Sequence, residues 1–303
     1  MKRNFPIDYK DTGIFLRNTQ KSITKEINKQ LKEMYSIWLN SFENDFLSLQ
    51  NIEVYNGIQY LTCFDSYVDN PIKLMTIGKE ANSKDYKLKE FKKDFAEIYQ
   101  HDMNYSYEYA ISHPNESYAR NRKNTFYLKT RKIVCGIKEA NYNNFKSKDQ
   151  LLEKMLLSVL NNNLNKFSKN GQYTPCDDNT NNIYAGSFNF KDLSANVFIH
   201  ELNILRPTHI IFWCGKNYDN HIIRAFGNNF YKEVFSKLDI NFSHKTVSDI
   251  FYLYNKDIES LFKIKNYFSD EKQPLKILYS YHPSAHIKNR EKAYNNKITN
   301  FLK

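Results

Sequence analysis

Four times in 303 residues an apolar run of strand length breaks off abruptly into small polar residues, and this repeated hand-over constrains the fold more than any other feature. The first instance is PIKLMTIGKEAN, residues 71–82. Pro71 marks its start, Ile72, Leu74, Met75 and Ile77 supply the apolar stretch, and Gly78 ends it in Lys79, Glu80, Ala81 and Asn82. The second, LLSVLNNNLNK at 156–166, passes from apolar to Asn-rich and hands on Asn163, Asn165 and Lys166. The third, THIIFWCG at 208–215, follows a helix expected from about Lys191 to Leu205 and stopped by Pro207. The fourth, PLKILYSYHPSAH at 274–286, delivers His282, Pro283 and Ser284. Strands alternating with helical stretches imply a parallel sheet covered by helices on both faces. Such sheets hold their ligands at the carboxyl edge, where these polar residues collect. Glu80 is therefore the first catalytic candidate, joined by Asn163 and His282.

The segments around this alternation read differently. Ile23, Ile27, Leu31, Met34, Trp38 and Phe42 are spaced four, four, three, four and four. That is one apolar stripe on a long helix, whose role is packing. Residues 1–70 are accordingly read as an N-terminal helical extension on a domain spanning 71–303, with 51–70 as a strand or irregular cover. Residues 83–125 form a polar, Tyr-rich insertion: a helix, then a long loop. In that loop Tyr105, Tyr107, Tyr109, Arg120 and Arg122 either line a nucleic-acid groove or are solvated. Phe126 and Tyr127 stand side by side at a helix start, and Ser147–Gln150 fits a capping box.

Charge bears on the partner. Lys and Arg number 44 against 33 Asp and Glu, a net +11 that favours a polyanion, and 23 Tyr with 22 Phe supply rings for stacking on unpaired bases. Neither G-x-G-x-x-G nor a P-loop signature occurs, which argues against dinucleotide or phosphate-loop chemistry. Cys63, Cys135, Cys176 and Cys214 stand far apart, so free thiols in a reducing cytoplasm are expected, with no metal site and no cofactor. MKRNFPIDYK lacks a signal-peptide core and no apolar run is long enough to span a bilayer. A soluble monomer with no membrane partner is expected.

In their order, IGKEAN, NNLNK, HELNILRPTHIIFWCG and YHPSAH resemble the motifs of the uracil-DNA glycosylase superfamily. Gly78 matches the leading Gly of that superfamily's first loop, and Glu80 falls where those loops carry Asp, Asn or Ala. Asn163 and Lys166 match N-x-x-K, Glu201 and Pro207 match the helix before the third strand, and His282, Pro283 and Ser284 match HPS. The likeness covers roughly residues 71–290. Ala81 and Asn82 depart from the most familiar uracil-removing members. Phe167 replaces the Cys of cluster-bearing members, so no iron–sulfur cluster is implied.

The resemblance implies a three-layer α/β/α sandwich around a central four-stranded parallel sheet. It also implies a monofunctional DNA glycosylase that removes uracil or a modified pyrimidine, including hypermodified cytosines of phage DNA in antiviral defence. Glu80 would position or deprotonate water and favour the cationic sugar, as carboxylates do in glycoside hydrolases. His282 would stabilise charge on the leaving base, and Asn163 would read its edge. Gly78, Lys79, Ala81, Asn82 and Lys166 would line the substrate pocket, and Phe126 or Tyr127 would stack on the flipped base. On double- or single-stranded DNA, Ser284, Lys288 and Arg290 would grip phosphates, and His286 or Ile287 would be the wedge. A noncatalytic nucleic-acid-binding protein retaining the fold is the alternative.

Overall fold

A computed structural model describes residues 21–50, 58, 60–80, 159–167, 178–214, 218–235, 248–280 and 291–303. All four sequence runs are strands: β1 (Leu74–Glu80), β2 (Val159–Asn165), β5 (His209–Phe212) and β7 (Leu275–Tyr279), paired in parallel. Among the described residues the sheet nevertheless has five strands rather than four, in the order β2-β1-β5-β7-β6. The addition, β6 (Phe251–Leu253), runs antiparallel to β7. Three residues with an exposed Tyr252 between Phe251 and Leu253 give no pattern long enough to read as a strand, and the ladder with β7 makes it one.

Along the chain, β2 lies on one side of β1 and β5 on the other. The direction of winding therefore reverses between β1 and β5. In open α/β sheets, the crevice beyond the carboxyl ends at that reversal is where ligands bind.

Register shows where the apolar residues of β1, β5 and β7 go. Met75, Ile210 and Ile277 align across three strands, as do Ile77, Phe212 and Tyr279, and all six belong to the main core. Helices α1 (Ser22–Ser41), α5 (Val197–Leu205), α6 (Asp219–Phe226) and α7 (Asn255–Phe262) contribute to that core. Side chains alternate between faces, and Leu74, Ile211 and Leu278 on the other face are buried as well. There α8 (Glu291–Phe301) sets Phe301 edge-on to the His209 ring at 5.1 Å. Burial on both faces accounts for the uninterrupted HIIF of β5.

The N-terminal stripe forms α1 as expected, with Leu31, Met34 and Trp38 fully buried. Ile23 at its start is 54% exposed, while Tyr35 and Leu39, off the expected stripe, are buried. The Trp38 indole donates to the Ile183 carbonyl at 2.8 Å, and Phe46 of α2 (Glu43–Gln50) meets it edge-on. Among the described residues of 51–70 a short helix forms, α3 (Asp65–Val68), whose Tyr67 hydroxyl donates to the Leu205 carbonyl at 3.1 Å.

The helix expected from Lys191 begins later, at Val197. Before it, β3 (Phe188–Phe190) and β4 (Leu193–Ala195) form a hairpin, turned at Lys191 with φ 52°. Asn196 caps α5 by accepting from the Ile199 N–H at 3.1 Å, a start signal hidden behind the hairpin. Arg206 in the left-handed region and Pro207 end the helix as the sequence suggests.

Candidate functional site at the carboxyl edge

Two of the predicted site positions meet across the β1–β2 ladder. Gly78 is directly opposite Asn163, and Glu80, the last residue of β1 after Lys79, is opposite Asn165. The Asn163 carboxamide lies against the Gly78 α-carbon: a methyl group built there would sit 2.5 Å from Asn163 Oδ1. Glycine is required here by close approach, not by backbone torsion. On its other side β1 is fastened to the continuation of β5. Trp213 N–H donates to the Ile77 carbonyl at 2.8 Å, and the Cys214 thiol contacts the Ile77 and Gly78 carbonyls at 3.3 and 3.5 Å.

The polar residues around Asn163 divide by depth. Asn163 is half-buried, whereas Asn162, Asn165 and Lys166 are buried. Lys166, expected to reach substrate, instead points inward and pairs with Glu201 of α5 at 2.5 Å. Glu201 also accepts from the Asn162 amide at 2.8 Å and from the Tyr35 hydroxyl, which in turn accepts from the Leu61 N–H at 3.0 Å. Burial lowers the Lys166 ammonium below the ordinary lysine pKa, and the Glu201 carboxylate opposes that shift. Lys166 and Glu201, which stand in separate stretches of the sequence, thus form a single ion pair in the core.

Asn165 anchors the strand end to a second helix. Its side-chain oxygen accepts from Arg224 and lies 3.1 Å from His221 Nδ1, both on α6. Arg224 also donates to Thr180 of α4 (Asp178–Ala185) at 3.0 Å and stacks over the Tyr184 ring at 4.2 Å. Burial, and secondarily the Arg224 charge, pushes the His221 pKa down to about 4, so this imidazole is neutral at physiological pH.

A third group was not anticipated. Asp219, in the first turn of α6 beyond β5, accepts from the Tyr231 hydroxyl at 2.9 Å and from the Tyr279 hydroxyl at 3.1 Å. Tyr279 closes β7, three residues before His282. Burial, then the Asp219 contact, raises the Tyr231 phenol to about 12, and burial, then Cys214 and Asp219, holds the Tyr279 phenol far above the ordinary tyrosine range. The signal available in sequence was Asp219 shortly after GKN, the polar tip of the third strand.

Ala81, Asn82, Phe126, Tyr127, His282, Ser284, His286, Ile287, Lys288 and Arg290 lie outside the described residues, as do Cys135 and Cys176. Cys63 and Cys214 are buried free thiols, and burial raises the Cys63 thiol to about 12. Among the described residues no group of three or more His, Cys, Asp or Glu is gathered to hold a metal ion. No helix among them is long and apolar enough to cross a membrane.

Comparison with protein-family models, with curated proteins and with solved structures returns no match for this chain. Over the described residues the chain is an α/β protein with a mostly parallel five-stranded sheet.

Proposed function

We propose that the chain is a monofunctional DNA glycosylase with a three-layer uracil-DNA glycosylase-like core, acting on uracil or a modified pyrimidine flipped out of DNA. The observation that carries this reading is the juxtaposition of Asn163 and Gly78 in register at the carboxyl edge, on the strand that borders the winding reversal. An amide that offers both donor and acceptor is thereby held beside the strand that ends in Glu80. The net charge of +11 suits a DNA partner.

In the proposed reaction Glu80 orients a water molecule and accepts its proton as the water oxygen bonds to C1′ of the deoxyribose. The N-glycosidic bond breaks with its electron pair leaving on the base, and the developing sugar cation is favoured by the carboxylate charge. His282 donates a hydrogen bond to the base oxygen that gains charge, an interaction worth about 3 kcal/mol in comparable oxyanion sites. Asn163 reads the pyrimidine edge, Phe126 or Tyr127 stacks on the ring, and Ser284, Lys288 and Arg290 hold the phosphates, with His286 or Ile287 as wedge. No cofactor takes part. Excision of a hypermodified cytosine from phage DNA would make the enzyme defensive, and excision of uracil would make it a repair enzyme.

The test is incubation of the purified chain with duplex and single-stranded DNA carrying uracil, hydroxymethylcytosine or glucosylated hydroxymethylcytosine, followed by alkali. Strand scission at the marked base, lost in Glu80→Gln and His282→Ala, is the expected result. Salt-sensitive binding with no scission on any substrate would leave a binding protein and sink the catalytic reading.

A further inference from the structure

At the end of β2 four polar side chains are withdrawn from water and joined to one another. Lys166, 1% exposed, contacts the carboxylate of Glu201, which is fully buried, and the side-chain oxygen of Asn162, each at 2.5 Å. Asn162 Nδ2 donates to the second oxygen of Glu201 at 2.8 Å. Asn162 Oδ1 also accepts the backbone N–H of Asn163 at 2.8 Å. The amide of Asn162 is therefore fixed in one orientation, nitrogen toward Glu201 and oxygen toward Lys166 and Asn163. Tyr35, bonded to Glu201 and to the Leu61 N–H, ties the N-terminal region into the same cluster.

A buried ion pair is a poor way to gain stability, because desolvation of both charges consumes most of the attraction and apolar replacements often do as well. Its value lies in geometry. Among the described residues β2 is the outermost strand beside β1, and the Asn163 N–H is held by the side chain of the preceding residue.

We infer that Lys166, Glu201 and Asn162 are positioning residues that set the backbone at Asn163, and through it the carboxamide resting against Gly78. Lys166 and Glu201 hold the Asn162 amide; the Asn162 oxygen holds the Asn163 N–H; Asn163 is thereby presented at the carboxyl edge. The arrangement rests on the proposed function only for what Asn163 then does to a base.

The decisive comparison is Lys166→Met against the double variant Lys166→Met/Glu201→Gln, read by urea unfolding, by hydrogen exchange of the Asn163 amide, and by base release. The single variant strands a buried carboxylate and loses stability. The double variant restores charge balance and recovers most of that stability, yet its Asn163 amide exchanges about tenfold faster, the size of one weakened hydrogen bond. With a substrate that the parent cleaves, kcat falls by a similar factor while KM stays within about twofold, as expected for loss of an interaction that matters in the transition state. Recovery of stability together with an unaltered Asn163 amide and full kcat would overturn the inference. If the parent releases no base from any DNA, the functional reading fails, and the Asn163 exchange rate still decides the positioning role. Asn162→Ala keeps the Lys166–Glu201 pair and removes the acceptor of the Asn163 N–H together with the Asn162 bonds to Lys166 and Glu201. It gives the same readings should the double variant not fold.

Discussion

Replacing Gly78 by alanine separates the stability of the sheet from the placement of Asn163. The new Cβ would lie 2.5 Å from Asn163 Oδ1, about an ångström inside ordinary contact, while its next neighbours, the Asn162 carbonyl and Asn163 Cγ, stand at 3.6 Å. The colliding atom is the end of a rotatable side chain, so the amide yields and the strands do not. Turning it off its preferred rotamer costs roughly 0.5–1.5 kcal/mol, and the buried methyl returns about 0.8 kcal/mol. The net change in unfolding free energy is then under about 1 kcal/mol, near the resolution of urea denaturation.

Gly186 is the built-in control. Its Cβ would meet the Asn182 backbone carbonyl at 2.3 Å, which cannot swing aside, and the Phe42 ring at 2.4 and 2.5 Å. Gly186→Ala should therefore cost about 1–3 kcal/mol or more, on the order of other overpacked sites. In base-release assays the ranking reverses. Gly78→Ala should lose about tenfold or more in kcat/KM, equivalent to about 1.4 kcal/mol of transition-state binding. Adding Gly78→Ala to Asn163→Ala should cost nothing further, because the clash partner is already gone. A Gly78→Ala protein as destabilised as Gly186→Ala, or one with undiminished base release, would refute the reasoning.

Other outcomes follow from the buried groups. Lys166→Met, which leaves the Glu201 carboxylate without its cation, should lower the urea-derived stability by about 3–5 kcal/mol. Tyr35→Phe should lower it by about 1–3 kcal/mol, since the Leu61 N–H and a Glu201 oxygen each lose a partner in the core. The His209 and His221 imidazoles are held by burial at about 3 and about 4, below the ordinary 6.5. Between those values and 6.5 the unfolded chain binds more protons than the folded one, so stability is complete above 6.5 and declines as pH falls. The slope approaches about 1.4 kcal/mol per pH unit for each histidine. Acid titration of His209→Asn, followed by circular dichroism, should show a shallower decline over that window.

Much of the sheet was legible because strand-length apolar runs that stop at small or polar residues report a local demand: burial, then release at the edge. β1, β2, β5 and β7 each carried that mark. β6 carried none, being three residues whose strand character comes only from pairing with β7. The late start of α5 has a similar cause. Residues 191–196 run on into the apolar helix with no break in the sequence, and the hairpin depends on Lys191 accepting a left-handed torsion that composition does not announce.

At the site the residue types were readable but their depth was not. In NNNLNK the asparagines and the lysine look alike as polar residues leaving a strand. Contacts with α5 and α6 draw Asn162, Asn165 and Lys166 into the core and leave Asn163 half-buried beside Gly78.

The sequence alone determined the alternation of strands and helices, the apolar stripe of α1 and the polar groups at each strand tip, because these follow from periodicity and local termination. Only the tertiary structure decided which tips are neighbours, that Lys166 and Glu201 neutralise each other, and that Asp219 is gripped by Tyr231 and Tyr279. Such pairings join residues 12 to 60 positions apart, and their energy comes from desolvation and contact, which no stretch of chain contains by itself.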